Sequence, residues 1–503
     1  MPPREADSSR ASRGGGNGPA PSSLRPRLRR AVVPVLLLLL SSCRAAPVPA
    51  PAPKTAPRIA APLPEKLLDL VERRTFDYFW ELANPANGLL PDRAPTKSFS
   101  SIAAVGFGLT AYSIGVERGY VTREAARDRV LATLRFFAGA PSGAERAGRT
   151  GHRGFFYHFL DMETGFRWET VELSTIDTTL LLAGVLFCES YFDRSDPREE
   201  EIRRLAEDLY RRADWQWARA RPPLVSHGWT PEEGFNSYDW HGYDESMILY
   251  VLALGSPTHP VEPEAWTEFT RTYRWEDFEG QQCVGFAPLF GHQYSHVWID
   301  FRGIRDAYMK EKGIDYFENS RRATYVQRSY AIRNPDGWKG YGENVWGLTA
   351  CDGPLDGTLT IDGRPHRFFS YAARGVSKRE IRDDGTLAPT AALSSLPFAP
   401  EIVLPALAEI HRRYGASLFS RYGFLDAFNP TLDEGAPVEH GRIGKGIGWI
   451  DVDYLGIDQG PIVAMIENYR SELVWRTMRE NPHIVQGLKR AGFTGGWLDA
   501  AAN

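Results

Sequence analysis

The chain has 503 residues, with 59 Lys and Arg against 63 Asp and Glu and 43% hydrophobic residues, a balance that excludes a disordered chain and gives no basic excess for binding nucleic acid. Four cysteines in so long a chain, without CxxC pairs, exclude a disulfide scaffold and a zinc ribbon. The 14 Trp, 21 Tyr and 26 Phe exceed what a core requires and indicate a site in which aromatic rings stack against a ligand.

The N-terminus is predicted to be a targeting segment. Four arginines between residues 25 and 30 precede an apolar run, 31–40, that is too short to span a bilayer. The run ends in Leu-Ser-Ser-Cys43, which resembles a bacterial lipobox, so we predict that residues 1–43 are a signal peptide and that Cys43 is acylated. A plain secretory signal cleaved near Ala46 is the alternative, but it leaves the placement of Cys43 unexplained.

Residues 44–63 are rich in Pro and Ala and predict a semi-rigid tether. The folded domain is predicted to span residues 64–503, a length that suits one large helical toroid as well as two domains. We therefore expect an exported protein that is lipid-anchored in the bacterial envelope. The outer membrane is favoured because Arg44, rather than an aspartate, follows Cys43.

Apolar residues at helical spacing predict about twelve helices. They are expected at 65–83, 101–118, 122–137, 174–191, 200–218, 244–253, 304–317, 320–332, 400–414, 461–469, 473–480 and 483–490. Long Gly- and aromatic-rich loops, such as 229–243 and 334–346, lie between them, and loops of this length usually have a function. The pattern predicts an all-α (α/α)6 toroid whose loops form a cleft at one end. An irregular helical domain without a cleft is the alternative.

The first of three acidic segments runs from Phe155 to Asp177, where a loop becomes a helix. It contains Asp161, Glu172 and Asp177, together with His158 and Trp168. The spacing of Ser174 and Asp177 before an apolar run is that of a capping box. Asp177 is therefore expected either to cap the helix or to bind substrate. Glu172 precedes the cap and has no such structural explanation.

The second segment combines amides, acids and aromatic residues in a way that suits hydrogen bonds to hydroxyls and stacking on sugar rings. Its members are Asn236, Trp240, His241, Tyr243, Asp244 and Glu245. The structural alternative is a helix start with Asp244 as its N-cap. A helix N-terminus lowers a carboxyl pKa, whereas a general acid needs it raised, so burial would have to outweigh the dipole for Glu245 to act as an acid.

The third segment, 448–461, contains Trp449, Asp458 and Gln459. Pro461 suits the first position of a helix, which predicts that Asp458 and Gln459 lie just outside it and point toward a ligand. Capping or solvation of these side chains is the alternative.

Three other motifs carry less weight. His292 and His296 are four residues apart but lack the glutamate of a zinc-binding HExxH motif, which favours packing or sugar contact. The Gly444–Gly448 segment lacks the Ser or Thr of a phosphate loop, and there is no GxSxG elbow for serine-hydrolase chemistry.

Four motifs in order resemble the bacterial glucoamylase-like domain. They are Ser174–Thr178 with the preceding Glu172, Tyr243–Leu249, His292–His296 and Tyr454–Pro461. This domain includes the endo-β-1,2-glucanases of glycoside hydrolase family 144 and is similar to the glucan-processing part of cyclic β-1,2-glucan synthases. The resemblance extends from about Leu67 to the C-terminus. It implies an (α/α)6 toroid that hydrolyses a β-glucan with inversion, without a metal or an organic cofactor.

The resemblance also implies roles for individual residues. The family's general acid is a Glu in the segment that Tyr243-Asp244-Glu245 matches, so that role comes to Glu245, while Asp177, Asp161 and Asp458 remain alternatives for the base. The expected substrate contacts are His158, Trp168, Glu172, Asn236, Trp240, His241, Tyr243, Gln293, Trp298, Glu343, Trp346, Trp449 and Gln459.

Three other functions fit a helical toroid. A polysaccharide lyase would favour a basic cleft, which the net charge of -4 and the acidic loops disfavour. A transglycosylase differs from a hydrolase only in whether a sugar or water accepts the glycosyl group. A non-catalytic glycan-binding lipoprotein would not need Glu245, Asp177 and Asp458, whose presence favours catalysis. The expected partner is a glucan polysaccharide or oligosaccharide, and we expect a monomer.

Overall fold

A computed structural model of the chain describes residues 65–500. The predicted signal peptide, Cys43 and the tether lie outside the described residues. Within residues 65–500, none of the helices is both long and apolar enough to span a membrane.

Sixteen α-helices run through residues 65–500. They are α1 (Glu65–Leu82), α2 (Ile102–Glu117), α3 (Arg123–Gly139), α4 (Thr175–Tyr191), α5 (Pro197–Arg212), α6 (Met247–Gly255), α7 (Glu264–Arg271), α8 (Tyr294–Trp298), α9 (Ala307–Lys312), α10 (Tyr316–Arg333), α11 (Pro389–Leu393), α12 (Pro400–Leu418), α13 (Gly456–Ser471), α14 (Leu473–Met478), α15 (Pro482–Arg490) and α16 (Gly496–Ala500). A short 3-10 helix, Leu289–His292, precedes α8.

Short antiparallel strands fill the connections between the helices. They are β1 (Arg93–Ala94), β2 (Ser100–Ser101), β3 (Gly151–His152), β4 (Phe155–Tyr157), β5 (Phe159–Leu160), β6 (Leu173–Ser174), β7 (Gly228–Thr230), β8 (Gly234–Phe235), β9 (Trp275–Phe278), β10 (Gln281–Val284), β11 (Ala350–Cys351), β12 (Gly357–Ile361), β13 (Arg364–Phe368), β14 (Ala372–Ala373), β15 (Gly375–Val376), β16 (Ile381–Arg382), β17 (Phe419–Ser420), β18 (Gly423–Phe424), β19 (Phe428–Asn429), β20 (Arg442–Gly444), β21 (Gly448–Ile450) and β22 (Tyr454–Leu455). The largest sheet has the order β3-β4-β6-β7-β8, and a second sheet has the order β19-β21-β20.

Helices that are buried nearly all round alternate along the chain with amphipathic helices. The buried set is α2, α4, α6, α8, α11 and α13. The amphipathic set, which buries one face only, is α1, α3, α5, α7, α10 and α12. A helix that is apolar on every side must lie inside other elements, so this alternation produces an inner and an outer ring.

The six inner helices form a closed ring. Helix α2 packs on α4 and on α13, α4 packs on α6, and α11 packs on α13. The backbone N–H of Ile248 in α6 donates to Ser295 Oγ in α8. The side-chain amide of Gln293, next to α8, donates to the carbonyl of Ala391 in α11. The predicted (α/α)6 toroid is thereby confirmed.

The closest contact within the ring is made by two glycines. A Cβ added to Gly184 in α4 would lie 2.1 Å from the carbonyl oxygen of Gly106 in α2, and a Cβ added to Gly106 would lie 2.2 Å from the carbonyl oxygen of Leu180. Both contacts are with backbone, which cannot move aside as a flexible side chain could. The two helices therefore approach each other at a distance that only glycine permits.

We expect Gly184→Ala to lower the free energy of unfolding by about 1–3 kcal/mol, because the added methyl group forces α2 and α4 apart. Denaturant unfolding measures the change. The matched control is Gly139→Ala at the end of α3, where an added Cβ has no atom within 4 Å. Equal stability of the two variants would contradict the close helix contact.

Among the helix boundaries that differ from the sequence prediction are those of α13 and α9. Helix α13 begins at Gly456, directly after β22, so Asp458 lies in its first turn and Pro461 lies inside the helix. The helix predicted at 304–317 is instead divided, because Gly313 adopts a left-handed conformation (φ 74°) that ends α9. Asp315 then caps α10 by accepting a hydrogen bond from the N–H of Glu318.

Candidate active site

The inner helices all begin at one end of the toroid. Their first turns contact one another: a Cβ on Gly456 in α13 would touch Ala104 in α2, and the Thr390 hydroxyl of α11 donates to the carbonyl of Asp458. Ser295 Oγ of α8 donates to the carbonyl of Glu245, just before α6. Side chains that precede or open these helices are therefore gathered at this end, and many of them are carboxylic acids.

Glu245 lies two residues before α6 and is half-buried. The preceding Asp244 accepts hydrogen bonds from the N–H and the hydroxyl of Ser246, which shapes the turn. Burial, followed by the charges of Asp244 and Asp177, holds the pKa of Glu245 well above its usual range. Burial therefore outweighs the dipole of the following helix and favours the protonated form of Glu245.

His158 lies between two carboxylates. Its Nδ1 is 2.8 Å from Glu172 Oε1, and its Nε2 is 3.5 Å from Asp177 Oδ2. Burial lowers the pKa of His158, but the charge of Asp177 and the hydrogen bond with Glu172 outweigh it and raise the pKa to about 9. An imidazolium therefore faces Asp177 at neutral pH.

The capping box predicted at α4 is confirmed, since Ser174 Oγ accepts a hydrogen bond from the N–H of Asp177 at 3.2 Å. The same hydroxyl donates to Asp177 Oδ2 at 2.5 Å. Asp177 thus stabilises the helix start and also presents its carboxylate to His158. The two roles that the sequence left as alternatives are compatible in this geometry.

Asp458 is paired with a residue that the sequence analysis missed. Asp426, which follows β18, is buried and shares a hydrogen bond with Asp458. Burial, followed by the charge of Asp458, raises the pKa of Asp426 well above its usual range, and burial raises that of Asp458 to about 7. Two carboxyls in contact cannot both ionise readily, so this pair holds a proton near neutral pH.

Two tyrosines stand among these acids. Burial raises the pKa of Tyr294, and the charges of Asp458 and Glu245, which lie near this phenol, raise it further. Tyr371 is 56% exposed although it stands in a recess of the protein. Loss of surrounding water, followed by the charges of Asp458 and Asp426, raises the pKa of Tyr371 as well. An aromatic face that is open to solvent inside an acidic recess suits a sugar ring.

A cavity of about 710 Å³ has Asp161, Trp168, Phe99 and Arg93 in its wall. The Phe99 and Trp168 rings lie 5.6 Å apart. Asp161 Oδ1 accepts three hydrogen bonds from its own turn, two from the N–H groups of Thr164 and Glu163 and one from the Thr164 hydroxyl. These bonds, the one from the Thr164 N–H foremost, lower the pKa of Asp161, so its carboxylate stabilises a turn on the cavity wall.

Several side chains that were expected to contact substrate are packed inside the protein. Tyr243, Gln293, Trp298, Trp346, Trp449 and Gln459 are each at most 5% exposed. Two of them have polar partners in the interior: Gln293 Nε2 donates to Ser395, and Trp298 Nε1 donates to Thr110 Oγ1. Trp240 is 7% exposed and stacks on His227 with ring centres 3.7 Å apart. We correct these predicted contacts, because no face of these side chains is free for a sugar.

Three other predicted contacts lie at the surface. His241 and Asn236 are exposed, and Asn236 Oδ1 accepts a hydrogen bond from the N–H of Tyr238 in its own turn. Glu343 is exposed and pairs with Arg328 at 2.7 Å. The two histidines at helical spacing have separate partners, since His292 Nδ1 bonds the Tyr243 hydroxyl and His296 Nε2 bonds Ser320.

Comparison with known proteins shows which families and relatives this chain is similar to. A family model described as "Glycoamylase: Putative glucoamylase" matches residues 237–482. The chain is 31% identical over 464 residues to an exo β-1,2-glucooligosaccharide sophorohydrolase (non-reducing end) of Parabacteroides distasonis, a match that covers 85% of this chain and 58% of that protein. The chain thus spans little more than half the length of this curated relative.

Solved structures match over more of their own length. A structure from Bacteroides fragilis NCTC 9343 with the same glucoamylase description is 32% identical, with a TM-score of 0.73, over 88% of this chain and 100% of the other. An endo-β-1,2-glucanase of Chitinophaga pinensis, in complex with sophorotriose and glucose, is 28% identical, with a TM-score of 0.73, over 86% of this chain and 99% of the other.

Proposed function

The chain belongs to the glucoamylase-like family, and from this premise we propose that it is a glycoside hydrolase that cleaves a β-1,2-linked glucan. The single observation that carries the proposal is the gathering of Glu245, whose pKa burial raises, and of the Asp177–His158 pair at the end of the toroid where the inner helices begin. A carboxyl with a raised pKa near a second carboxyl that contacts a histidine suits the division of roles that acid and base catalysis requires.

In the proposed mechanism, Glu245 donates its proton to the glycosidic oxygen as the bond to the leaving sugar breaks. Asp177 takes a proton from a water molecule that attacks the anomeric carbon from the opposite face, which inverts its configuration. His158 holds Asp177 in place through the contact of its Nε2 with Asp177 Oδ2. At the end of the cycle Asp177 releases its proton to solvent and Glu245 takes one up from solvent, which restores both groups.

The other acids are proposed to bind the sugar. Asp458 and Asp426 share a proton near neutral pH, so together they can both donate to and accept from hydroxyl groups. Tyr371 and Trp168 supply the open aromatic faces. This assignment leaves Asp177 as the base and gives Asp458 a positioning role.

The proposal is tested with linear β-1,2-glucan and, in parallel, with β-1,3-, β-1,4- and α-1,4-glucans. We expect oligosaccharides to be released from the β-1,2 polymer alone, with the new reducing end formed first as the α-anomer, which proton NMR resolves. Sophorose as the sole early product indicates exo action, and a ladder of lengths indicates endo action. Longer chains without new reducing ends would indicate a transglycosylase instead, and binding without any product would indicate a glycan-binding protein.

We further propose that the protein is exported and lipid-anchored through Cys43, on the basis of the lipobox-like sequence. Cys43→Ala is expected to move the protein from the detergent phase to the aqueous phase on Triton X-114 partition of the expressing bacterium. The matched control is Ser42→Ala, which retains the cysteine. Detergent partition by the Cys43→Ala variant would contradict lipidation.

A further inference from the structure

Four side chains from separate loops converge beside the Asp426–Asp458 pair. Asp352 follows β11, His440 precedes β20, and Asp451 and Asp453 lie between β21 and β22. The Nε2 atom of His440 is 2.8 Å from Asp451 Oδ1, 3.6 Å from Asp453 Oδ2 and 3.7 Å from Asp352 Oδ2. One imidazole nitrogen thus faces three carboxylates.

Three atoms of this group lack a hydrogen-bond partner, and of the two carboxylate oxygens among them Asp453 Oδ2 is the one that faces His440 Nε2. Asp451 Oδ2, Asp453 Oδ2 and His440 Nε2 are buried and make no hydrogen bond. The side chains of Asp451 and Asp453 are both 0% exposed. The other oxygens of these two residues are occupied, Asp453 Oδ1 by the N–H of Thr96 and Asp451 Oδ1 by that of Val452. A buried carboxylate oxygen without a hydrogen bond destabilises the folded protein unless another group or an ion binds it.

Ligand atoms of Asp352, His440 and Asp451 all lie within 4.8 Å of one another, and Asp453 Oδ2 lies 3.6 Å from His440 Nε2, so these atoms are close enough to approach one metal ion. Ligands about 2.1 Å from an ion are separated by roughly 3.0 Å at right angles and roughly 3.4 Å in a tetrahedron. The observed separations from His440 Nε2, 2.8, 3.6 and 3.7 Å, lie around those values. A small inward movement of the side chains would therefore close a shell.

The net charge of this group also favours the binding of a cation. The guanidinium of Arg93 contacts Asp352 at 2.6 Å and is 4.0 Å from Asp453, and it is the one arginine or lysine that pairs with the three carboxylates among the residues described. Three carboxylates outnumber the one guanidinium and the one imidazole that face them, so the group carries a net negative charge. A divalent ion neutralises this charge, and buried charges in proteins are paired or bind metals.

We propose that Asp352, His440, Asp451 and Asp453 form a binding site for a divalent first-row transition-metal ion, of which Mn²⁺ and Zn²⁺ suit the ligand set best. An imidazole among carboxylates favours such ions over Ca²⁺ and Mg²⁺, which prefer oxygen ligands alone. His440 is 32% exposed, so an ion can enter from solvent on its side.

The bound ion would join loops that are far apart in the chain. It ties the segments after β11 and before β20 to the short connection that leads through β22 into α13, the helix that carries Asp458. Its role is structural, because it fixes the wall of the acidic recess and requires no contact with a sugar. The sequence analysis expected no metal, since the ligands are separated by up to 101 positions and form no spaced motif.

The test uses the purified chain after dialysis against EDTA, with Mn²⁺, Zn²⁺, Ca²⁺ and Mg²⁺ added separately. We expect one Mn²⁺ or Zn²⁺ per chain by mass spectrometry of the metal, and a rise in Tm of roughly 5 °C at a hundredfold excess over Kd. His440→Gln and Asp453→Asn are expected to abolish both effects. The readouts need no glucan, so they do not depend on the proposed activity.

The matched control is His483→Gln. His483 Nε2 also lies against carboxylates, but it is hydrogen-bonded to Glu207 at 2.7 Å and has no unpartnered buried oxygen beside it. This variant should bind the ion as the unaltered chain does. Absence of stoichiometric metal in the unaltered chain, retention of metal by His440→Gln and Asp453→Asn, or a preference for Ca²⁺ would each overturn the proposal.

Discussion

Glu245→Gln is expected to lower kcat/KM on β-1,2-glucan by a factor of about 10³–10⁴. The glutamine has nearly the same shape, but it has no acidic proton to give to the leaving oxygen. That loss corresponds to roughly 4–5.5 kcal/mol of transition-state stabilisation. Initial rates of reducing-end formation measure it, and KM should change little because the side chain is not proposed to hold the ground-state sugar.

The same variant carries a second signature in its stability. The pKa of Glu245 is higher in the folded protein than in the unfolded chain. The stability that the protonated side chain contributes is therefore fully present below the pKa of the unfolded state and is lost as the pH rises through the pKa of the folded state. Glutamine does not titrate. The Tm of the unaltered protein should therefore fall, relative to that of Glu245→Gln, as the pH rises above about 4.5.

The matched control for Glu245 is Glu343→Gln. Glu343 is exposed at the surface and pairs with Arg328. Its removal should leave both kcat/KM and the pH dependence of Tm unchanged. Near-native turnover in Glu245→Gln would remove Glu245 from the acid role, and loss of turnover together with a lower Tm would indicate a structural role instead.

Burial patterns explain why the ring could be predicted from the sequence. Runs such as 102–115 and 178–188 are apolar on every side, and only an inner helix can accommodate such a run. The short inner helices α8 and α11 were missed because five residues contain too few turns for a periodicity to appear. Their place is set by packing against neighbours, which no local pattern records.

The aromatic residues show why a site is harder to predict than a fold. Trp449 and Trp346 lie in Gly-rich loops, which suggested a ligand, but their rings are fully buried in the interior of the protein. Whether such a ring turns inward depends on the space that distant segments leave, and the sequence alone carries no measure of that space. Tyr371, in the connection between two short strands, is open to solvent for the same reason.

The sequence does contain a signal for one of the acids that the sequence analysis missed. Asp426 stands in the apolar run Phe-Leu-Asp-Ala-Phe, and an ionisable residue in such a run is rarely buried without a purpose. A second buried acid that the sequence analysis did not single out is Asp92, which precedes Arg93, and its burial beside Arg93 follows from the pairing of β1 with β22. Contacts between segments more than 300 residues apart create that environment.

Asp177→Asn is expected to lower kcat/KM by a factor of about 10²–10⁴, because the attacking water then loses its proton acceptor. Sodium azide provides the decisive measurement. Azide is a strong nucleophile that needs no base, so it should restore turnover to Asp177→Asn and yield an α-glycosyl azide. Asp458→Asn, which loses a positioning group rather than a base, should be weakened without rescue.

The capping role of Asp177 is separated from the catalytic one by Ser174→Ala. This change removes the hydroxyl that accepts from the N–H of Asp177 and donates to its carboxylate, but the carboxylate itself and its contact with His158 remain. We expect a loss of about 0.5–2 kcal/mol in stability, since a cap is lost, with most of the turnover retained. Azide rescue of Asp458→Asn and not of Asp177→Asn would transfer the base role to Asp458. If Ser174→Ala and Asp177→Asn lost stability and turnover alike, Asp177 would act through the helix cap alone.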